Sequence, residues 1–588
     1  MQPLATLVTW GCFLHQTMNF DITQIPFSYY GSYVAFSILS ETPDRKAGLY
    51  LRSVRGPATG GRPLQEILLM ELMDGDKAIP FDADANPCRL ELNAGNGKQA
   101  RACFESAASV RFRLDGVGIR FSMPTGAYDN FIPHTDGKWM LTVNTVCETK
   151  LMFVPLRGRM EIDAPWQAEN CDYISITFQP DDDGVCEFAI GEFIVGWDEP
   201  KRSKSFDDCV TNVGCEFTAW TKDMPAVPAR YAEMRELACY ILWSCVVAPS
   251  GHLTRPAIFA SKNGMIGAWS WDHCFHALSL AEAHPQLAWD QFMVLFNQQD
   301  ATGVLPDLIN DRLVSWSFYK PPVHGWILSR LARNSSLMTS ERLDEIYEPL
   351  SRWTNWWFEH RDDDGDGIPQ CNHGNDSGWD NSTVFSVRPP IESPEISAYL
   401  VLQMEFLAYA AEKLGRADEA PQWRLRAEEL TSRLMSHFWR GDHFVAVESF
   451  PHKDIAVDSL QLHLPLILGK RLPEEARALL VSRLKEPGRF LTQYGFATES
   501  LSSPHYRSRG YWRGPIWAAP TLILFDALMA CDEVDFAKDI RRRFLELVAK
   551  NGFAENFDAQ MGQGYHDFHF SWTAGIWLTL ANEMSKEK

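Results

Sequence analysis

The chain has 588 residues, too many for one ordinary hydrophobic core, so at least two domains are expected. A formal net charge of -21 at pH 7 excludes the basic surfaces that nucleic acid and anionic membranes select. Thirteen cysteines, an odd number without CxxC pairs or Cys/His zinc spacing, point to buried free thiols in the reducing cytoplasm.

In chain order, residues 1–17 are mildly apolar, with no Lys or Arg before the hydrophobic part and no small-residue cleavage site. They make a poor signal peptide and are too short to span a membrane. Met18 opens MNFDITQIPFSYYGSY, which reads as a natural start, so residues 1–17 are expected to be a non-native or disordered extension. From Thr23 to Ala219 the apolar residues come in short runs, such as GSYVAFSIL, SVRFRLDGVGIRFSM and KWMLTVNTV, broken by Gly, Pro, Asn and Asp. That spacing predicts an antiparallel β-sandwich over residues 18–224, a packing and cleft-shaping domain with no catalytic constellation of its own.

Near Pro225 the hydrophobic period changes to 3.6. Helices are expected at 227–247, 271–282, 284–299, 321–333, 342–360, 394–415, 420–439, 455–468, 473–486, 514–531, 534–550 and 571–585. Twelve helices with alternating short and long connections suggest six hairpins closed into an (α/α)6 barrel over residues 225–588, its long loops gathered at one mouth.

The long loops hold the unusual residues. Residues 361–385, RDDDGDGIPQCNHGNDSGWDNSTVF, are rich in Asp and Gly and carry no apolar run, so they form an ordered loop, and such loops are usually functional. Within it, Trp379 beside Asp380 offers what sugar chemistry needs: an aromatic face for the apolar side of a pyranose and a proton for a glycosidic oxygen. Four further stretches mix aromatics with acids, amides or cations: GAWSWDHCFH, SWSFYKPPVHGW, YRSRGYWRGPIW and FAENFDAQMGQGYHDFHFSW. They nominate Trp269, Trp271, Asp272, Lys320, His324, Trp326, Tyr511, Trp512, Arg513, Trp517 and Trp572, with Trp379, as sugar-binding residues. The sequons at Asn375 and Asn381 flank Asp380, where a glycan would block a cleft, so a glycosylating route is not expected; Asn334 carries a third.

GWDNS, YWRGPIW and ENFDAQMGQG…FSW, with WSWDHCFHALSLAEAHP and YKPPVHGW before them, resemble the inverting α-glycosidases of glycoside hydrolase family 63, processing-glucosidase and mannosylglycerate-hydrolase-like, related to family 37 trehalases. The likeness covers roughly residues 264–577. It implies a β-sandwich packed on an (α/α)6 barrel, an α-linked glucosyl or mannosyl substrate, Asp380 as general acid and Glu555 as general base. The residues agree: inversion needs one protonated and one ionised carboxyl, and Trp379 would raise the pKa of Asp380 by excluding water. Asp376 and Asp558, each close in sequence to one of these acids, are expected to help set the proton. Glu392, Glu395 and Glu499 are read as capping or scaffold residues. Arg312, Lys320, His324 and Arg513 are the cations available to a carboxylate aglycone such as glycerate.

Asp362, Asp364 and Asp366, followed by Gly367, begin like a calcium loop, but His373 stands where an EF-hand has its bidentate glutamate. A structural calcium is therefore allowed there, and no metal or other cofactor is expected in the chemistry. The partner is a small soluble carbohydrate, and the aglycone is open among glycerate glycosides, kojibiose-like disaccharides and trimmed oligosaccharides. The rivals are a glycoside phosphorylase, which Glu555 argues against, a sugar epimerase, which would centre on histidines, and a non-catalytic carbohydrate-binding protein. A chain beginning at Met18 is expected to keep the melting temperature and activity of the 588-residue chain; a large loss of either would show that residues 1–17 pack against the body.

Overall fold

The computed structural model describes residues 18–56, 65–201 and 204–587. Residues 1–17, expected to be an extension, lie outside them. The described residues divide into two compact units, one running to Ser53 and over Gln65–Asp223, the other beginning at Met224. Residues 54–56 group with the second unit rather than with the strands around them. There Asp311 ion-pairs with Arg55 at 3.2 Å and accepts the Gly56 N–H at 3.1 Å.

The first unit holds two eight-stranded antiparallel sheets. One runs Phe27–Ser28, Val34–Leu39, Gly48–Ser53, Glu66–Asp74, Gly118–Pro124, Tyr173–Gln179 and Arg159–Asp163, with Lys77–Ile79 beside Glu66–Asp74. The other has Thr149–Arg157, Val185–Phe193 and Ser109–Asp115 at its centre. Alternation decides what lies between them: Phe121 and Phe178 of the first sheet meet Phe112, Phe153 and Phe188 of the second. The Phe178 and Phe188 rings stack 3.7 Å apart, and all five are buried. The expected run of strands to Ala219 ends early, however, because Phe206–Lys222 is a helix, α1. Its signal is local: the Ser205 hydroxyl accepts from the Asp208 N–H while the Asp208 carboxylate accepts from the Ser205 N–H, a capping box.

In the second unit all twelve expected helical segments appear. They are α2 (Ala232–Cys245), α3 (Asp272–Leu280), α4 (Pro285–Phe296), α5 (His324–Asn334), α6 (Ser340–His360), α7 (Pro394–Lys413) and α8 (Glu419–Phe438). After these come a 3-10 helix (Leu460–Arg471), α9 (Glu474–Lys485), α10 (Ala518–Ala530), α11 (Val534–Asn551) and α12 (Ser571–Lys586). The eighth segment is 3-10 rather than α because Pro465 removes a backbone donor from its middle. Contacts run α3 to α5, α5 to α7, α7 to the 3-10 helix, on to α10, then α12, and back to α3, so six helices close an inner ring. The others stand outside it, each touching an inner neighbour, as α2 touches α12 and α4 touches α3. This is an (α/α)6 barrel. The ring is buried on all sides, so α10 reads AAPTLILFDALMA with no polar face, whereas outer α11 alternates faces.

Every inner helix is entered through a long loop and left through a short one, so the six long loops and the six inner N-termini share one mouth. Among the described residues no helix is long and apolar enough to cross a membrane, and the twelve cysteines are free thiols. Phe188→Ala is expected to destabilise the first unit by about 3–5 kcal/mol, the cost of an unfilled aromatic site, while chemical denaturation leaves the barrel transition unmoved. A loss under about 1 kcal/mol would mean the phenylalanine stack is not the core of the sandwich.

Candidate active site

Four carboxyls and one lysine meet at the mouth, each delivered by a different stretch of chain. Asp272 is the first residue of α3, so the start of that helix sets where its carboxyl lies. Asp307 lies beside the strand Leu308–Ile309, which pairs with Ala268–Trp269 just ahead of Asp272. Lys320, from the loop into α5, ion-pairs with Asp307 at 3.3 Å and donates to the Asn375 side chain and, at 3.3 Å, to the Asn375 carbonyl.

Asp380 comes from the loop before α7, and its neighbours explain how that loop holds still. Asp376 accepts the N–H groups of Tyr319, Asn372 and His373, tying its first turn to the loop before α5. Gly378 then turns the chain at φ 74°, where a Cβ would sit 2.7 Å from the Trp271 ring. Asn381 is held from both ends of its side chain, accepting the Trp512 N–H at 3.0 Å and donating to the Gly510 carbonyl at 3.1 Å. Its backbone carbonyl takes the Arg513 Nε at 2.6 Å.

Glu555 comes from the loop before α12. Its N–H bonds the Asp567 carbonyl at 2.7 Å, and the adjacent residues 556–557 pair with Gly564–Tyr565 and bridge to Ile516. Its carboxylate accepts the Tyr511 hydroxyl at 2.8 Å. Tyr511 sits at φ 62°, a conformation a tyrosine seldom adopts, so backbone strain is stored at the donor that orients Glu555.

Behind these groups stand five tryptophans. Trp512 lies parallel to Trp517 at 4.0 Å and tilted against Trp379 at 4.8 Å; Trp271 and Trp572 meet edge to face at 5.0 Å. All five are buried, so the acids are backed by a wall from which water is excluded. The electrostatic consequence is direct. Burial pushes Asp272 up to about 8, with Asp307 and Asp380 adding to it and Lys320 opposing. Burial likewise pushes Glu555 up to about 8, the Tyr511 hydrogen bond pulling the other way and Asp567, Asp380 and Asp272 pushing further. Asp380 is raised above the usual carboxylate range by burial, and Lys320 restrains it.

Several expectations from sequence resolve differently. His324 is fully enclosed between His273, Phe296 and Trp353, and burial holds its imidazole neutral, so it reaches no acid of this group. Trp326 donates its indole N–H to Asp526 at 3.0 Å and packs on Phe275, a scaffold role. Asp558 accepts the Gln560 and Met561 N–H groups and the Tyr565 hydroxyl, so it shapes a turn, as Asp376 does, instead of setting a proton. Arg312 ion-pairs with Asp311 at 3.3 Å. Arg513 positions the Asp380 loop, and Trp269 is buried in the strand before Asp272. Asp307 had no sequence signal beyond an acid between Pro306 and an apolar pair, and only strand pairing shows what it faces.

The acidic turn differs as well. Asp364 and Asp366 converge with Glu392 and His452, their ligand atoms all within 4.8 Å of one another, whereas Asp362 accepts the Gly367 N–H at 3.0 Å. Glu392 is fully buried and its Oε1 has no hydrogen-bond partner, so the donor set fits a divalent cation at the start of this loop.

Residues 265–573, just over half of the chain, match the mannosylglycerate hydrolase MGH1-like glycoside hydrolase domain. The chain belongs to this family. It is a GH63-like glycoside hydrolase, and the matched residues carry every member of the site above. Among relatives, a mannosylglycerate hydrolase of Rubrobacter radiotolerans is 24% identical over 408 residues, 54% of this chain and 90% of that protein. A glucosylglycerate hydrolase of Mycolicibacterium hassiacum is 22% identical over 406 residues, 53% of this chain and 90% of its own. In fold, a bacterial glucoamylase complexed with acarbose covers 95% of this chain and 93% of its own, with a TM-score of 0.63 at 10% identity. The GH63 mannosylglycerate hydrolase of Thermus thermophilus in complex with Tris and D-glycerate covers 58% of this chain and 98% of its own, with a TM-score of 0.50 at 20% identity.

The raised acids make a stability prediction. A carboxyl whose pKa is near 8 when folded and near 4 when unfolded stabilises the fold fully below about pH 4, and this contribution is lost as pH rises through 8. Asp272→Asn should therefore match the parent melting temperature near pH 4 and exceed it by a few degrees at pH 8–9. A variant less stable than the parent at alkaline pH would contradict the burial argument.

Proposed function

We propose that the protein is an inverting, exo-acting hydrolase of a small α-glucoside or α-mannoside, with Asp380 as general acid and Glu555 as general base. The observation that carries this reading is Tyr511. Its hydroxyl donates to Glu555 at 2.8 Å, and its pKa is raised first by burial and then by Glu555, Asp380 and Asp272, so acids from separate loops act on one small volume. Inversion requires such a pair: Asp380 gives its proton to the leaving oxygen while Glu555 takes one from a water that attacks the opposite face of the anomeric carbon. Asp272 and the Asp307–Lys320 pair are suited to gripping sugar hydroxyls, since carboxylates and an ammonium near each other offer acceptors and donors together. Glycerate glycosides are favoured as substrates, because the named relatives are mannosylglycerate and glucosylglycerate hydrolases. A cation at Asp364, Asp366, Glu392 and His452 would staple the first turn of the Asp380 loop and take no part in proton transfer.

The roles separate in two experiments. Asp380→Asn should lose on the order of 10²–10⁴-fold on the natural glycoside yet keep a large share on the matching glycosyl fluoride, whose leaving group needs little protonation. Glu555→Gln should fail on both, and the reverse pattern would falsify the assignment. The second experiment concerns pH. Glu555 must be ionised to act, so kcat/KM rises with pH through its pKa, and the Tyr511 hydrogen bond keeps that pKa down. Tyr511→Phe should shift this acid limb to higher pH and Asp272→Asn to lower pH; limbs that move together, or not at all, would mean Glu555 is not the group that titrates.

A further inference from the structure

The same mouth contains a second cavity, of about 450 Å³, between the loops that lead into the 3-10 helix and into α10. Its walls include His443, His463, Arg483, Arg489 and His505, against a single carboxylate, Asp458. That carboxylate is already taken: Arg489 donates to it from Nε at 3.1 Å and from Nη2 at 2.5 Å. Arg489 Nη1 goes to Glu486, so this side chain is a fixed part of the wall. Arg483 is anchored through Nη2 alone, to Asp442 at 2.9 Å, and a guanidinium has five N–H donors.

The decisive side chain is His463. It is 4% exposed, its ring lines the cavity, and its hydrogen bonding is confined to the Ser459 backbone. Burial, with Arg489 and Arg483 adding to it, holds the imidazole neutral, with a pKa of about 3, so it presents one N–H donor and one acceptor. Guanidinium donors and an imidazole N–H suit the oxygens of an anion, and the imidazole acceptor suits a hydroxyl. An apolar ligand would leave all of them unsatisfied.

The cavity also touches the machinery of the first site. Ser459, in its wall, has its hydroxyl 3.2 Å from that of Ser382. Ser503, also in its wall, donates at 2.5 Å to Glu499, whose other oxygen accepts the Thr383 hydroxyl at 2.7 Å. Ser382 and Thr383 follow Asp380 closely in sequence, so two hydrogen-bonded routes run from the cavity wall to the loop of that acid. Glu499 is fully buried, which makes the second route a rigid one.

We propose that this cavity is a second ligand site, for a small oxyanion that carries hydroxyls, and that its occupancy is coupled to the Asp380 loop through Ser459 and through Ser503 and Glu499. A phosphate-bearing sugar and a sugar acid share this chemistry. Coupling of this kind is reciprocal, so a ligand that shifts the loop alters substrate affinity, and substrate alters its own.

Calorimetric titration of the full chain tests this with inorganic phosphate, glucose 6-phosphate and gluconate, of which the first two report a phosphate site and the last a carboxylate site. At least one should bind one to one, to the parent and to Glu555→Gln alike. Arg483→Gln should weaken that binding about tenfold or more, the worth of a charge-assisted hydrogen bond, while leaving hydrolysis without the ligand unchanged. The exposed His505→Gln serves as a second variant should Arg483→Gln fail to fold. The bound ligand should change kcat/KM of the parent and not of Arg483→Gln. Absence of binding by all three, binding undiminished in both variants, or competition with an active-site sugar would overturn the site; binding without any kinetic effect would overturn the coupling.

Discussion

Desolvation of carboxyls is the constraint on which the rest of the structure depends. Asp272, Asp380 and Glu555 share a volume with the Asp307–Lys320 ion pair and a wall of tryptophans, and burial raises the pKa of all three. Left to itself the group would push its loops apart. The barrel prevents this by placing Asp272 at the start of an inner helix and the other three acids in long loops that lead into inner helices, and the six inner N-termini, which share the mouth, supply a partial positive potential there. The loops are then sewn to one another, Asn381 to the residues around Trp512, Asp376 to Tyr319, and the strand at Phe557 to Ile516. The cost of burying these carboxyls thus becomes a property a glycosidase can use, a carboxyl raised above the usual carboxylate range by burial.

Much of the barrel was legible because its signals are local. Hydrophobic period, Pro and Gly punctuation and loop length located twelve helical segments, and only Pro465 altered the character of one. Helix α1 was missed although Ser205 and Asp208 form its capping box; the runs of strand before it drew the reading past the change of period. Residues 54–56 could not be placed from sequence at all, since Arg55 and Asp311 stand far apart in the chain and only the fold brings them together.

The site was legible to the extent that its chemistry is carried by aromatic–acid neighbours such as Trp379 and Asp380. What failed was the inference from neighbourhood to function. His324 and Trp326 stand in the same stretch as Lys320, yet a helix begins at His324 and turns both into the packing. Asp376 and Asp558 stand near the proposed catalytic acids, yet backbone N–H groups claim them. Asp307 shows the converse: nothing around it is unusual, and its role comes from strand pairing and from the lysine it meets. A side chain's direction, set by the element it belongs to, decides such cases, and sequence spacing alone does not supply it.

The central claim is that Asp380 and Glu555 act on opposite faces of the sugar. Proton NMR of the first product formed from an α-glycoside, recorded before mutarotation, tests it most directly. The account predicts that the β-anomer of the released sugar appears first and the α-anomer follows only as the two equilibrate. An α-anomer formed first would show retention, and would contradict the assignment of Glu555 as the base that activates water.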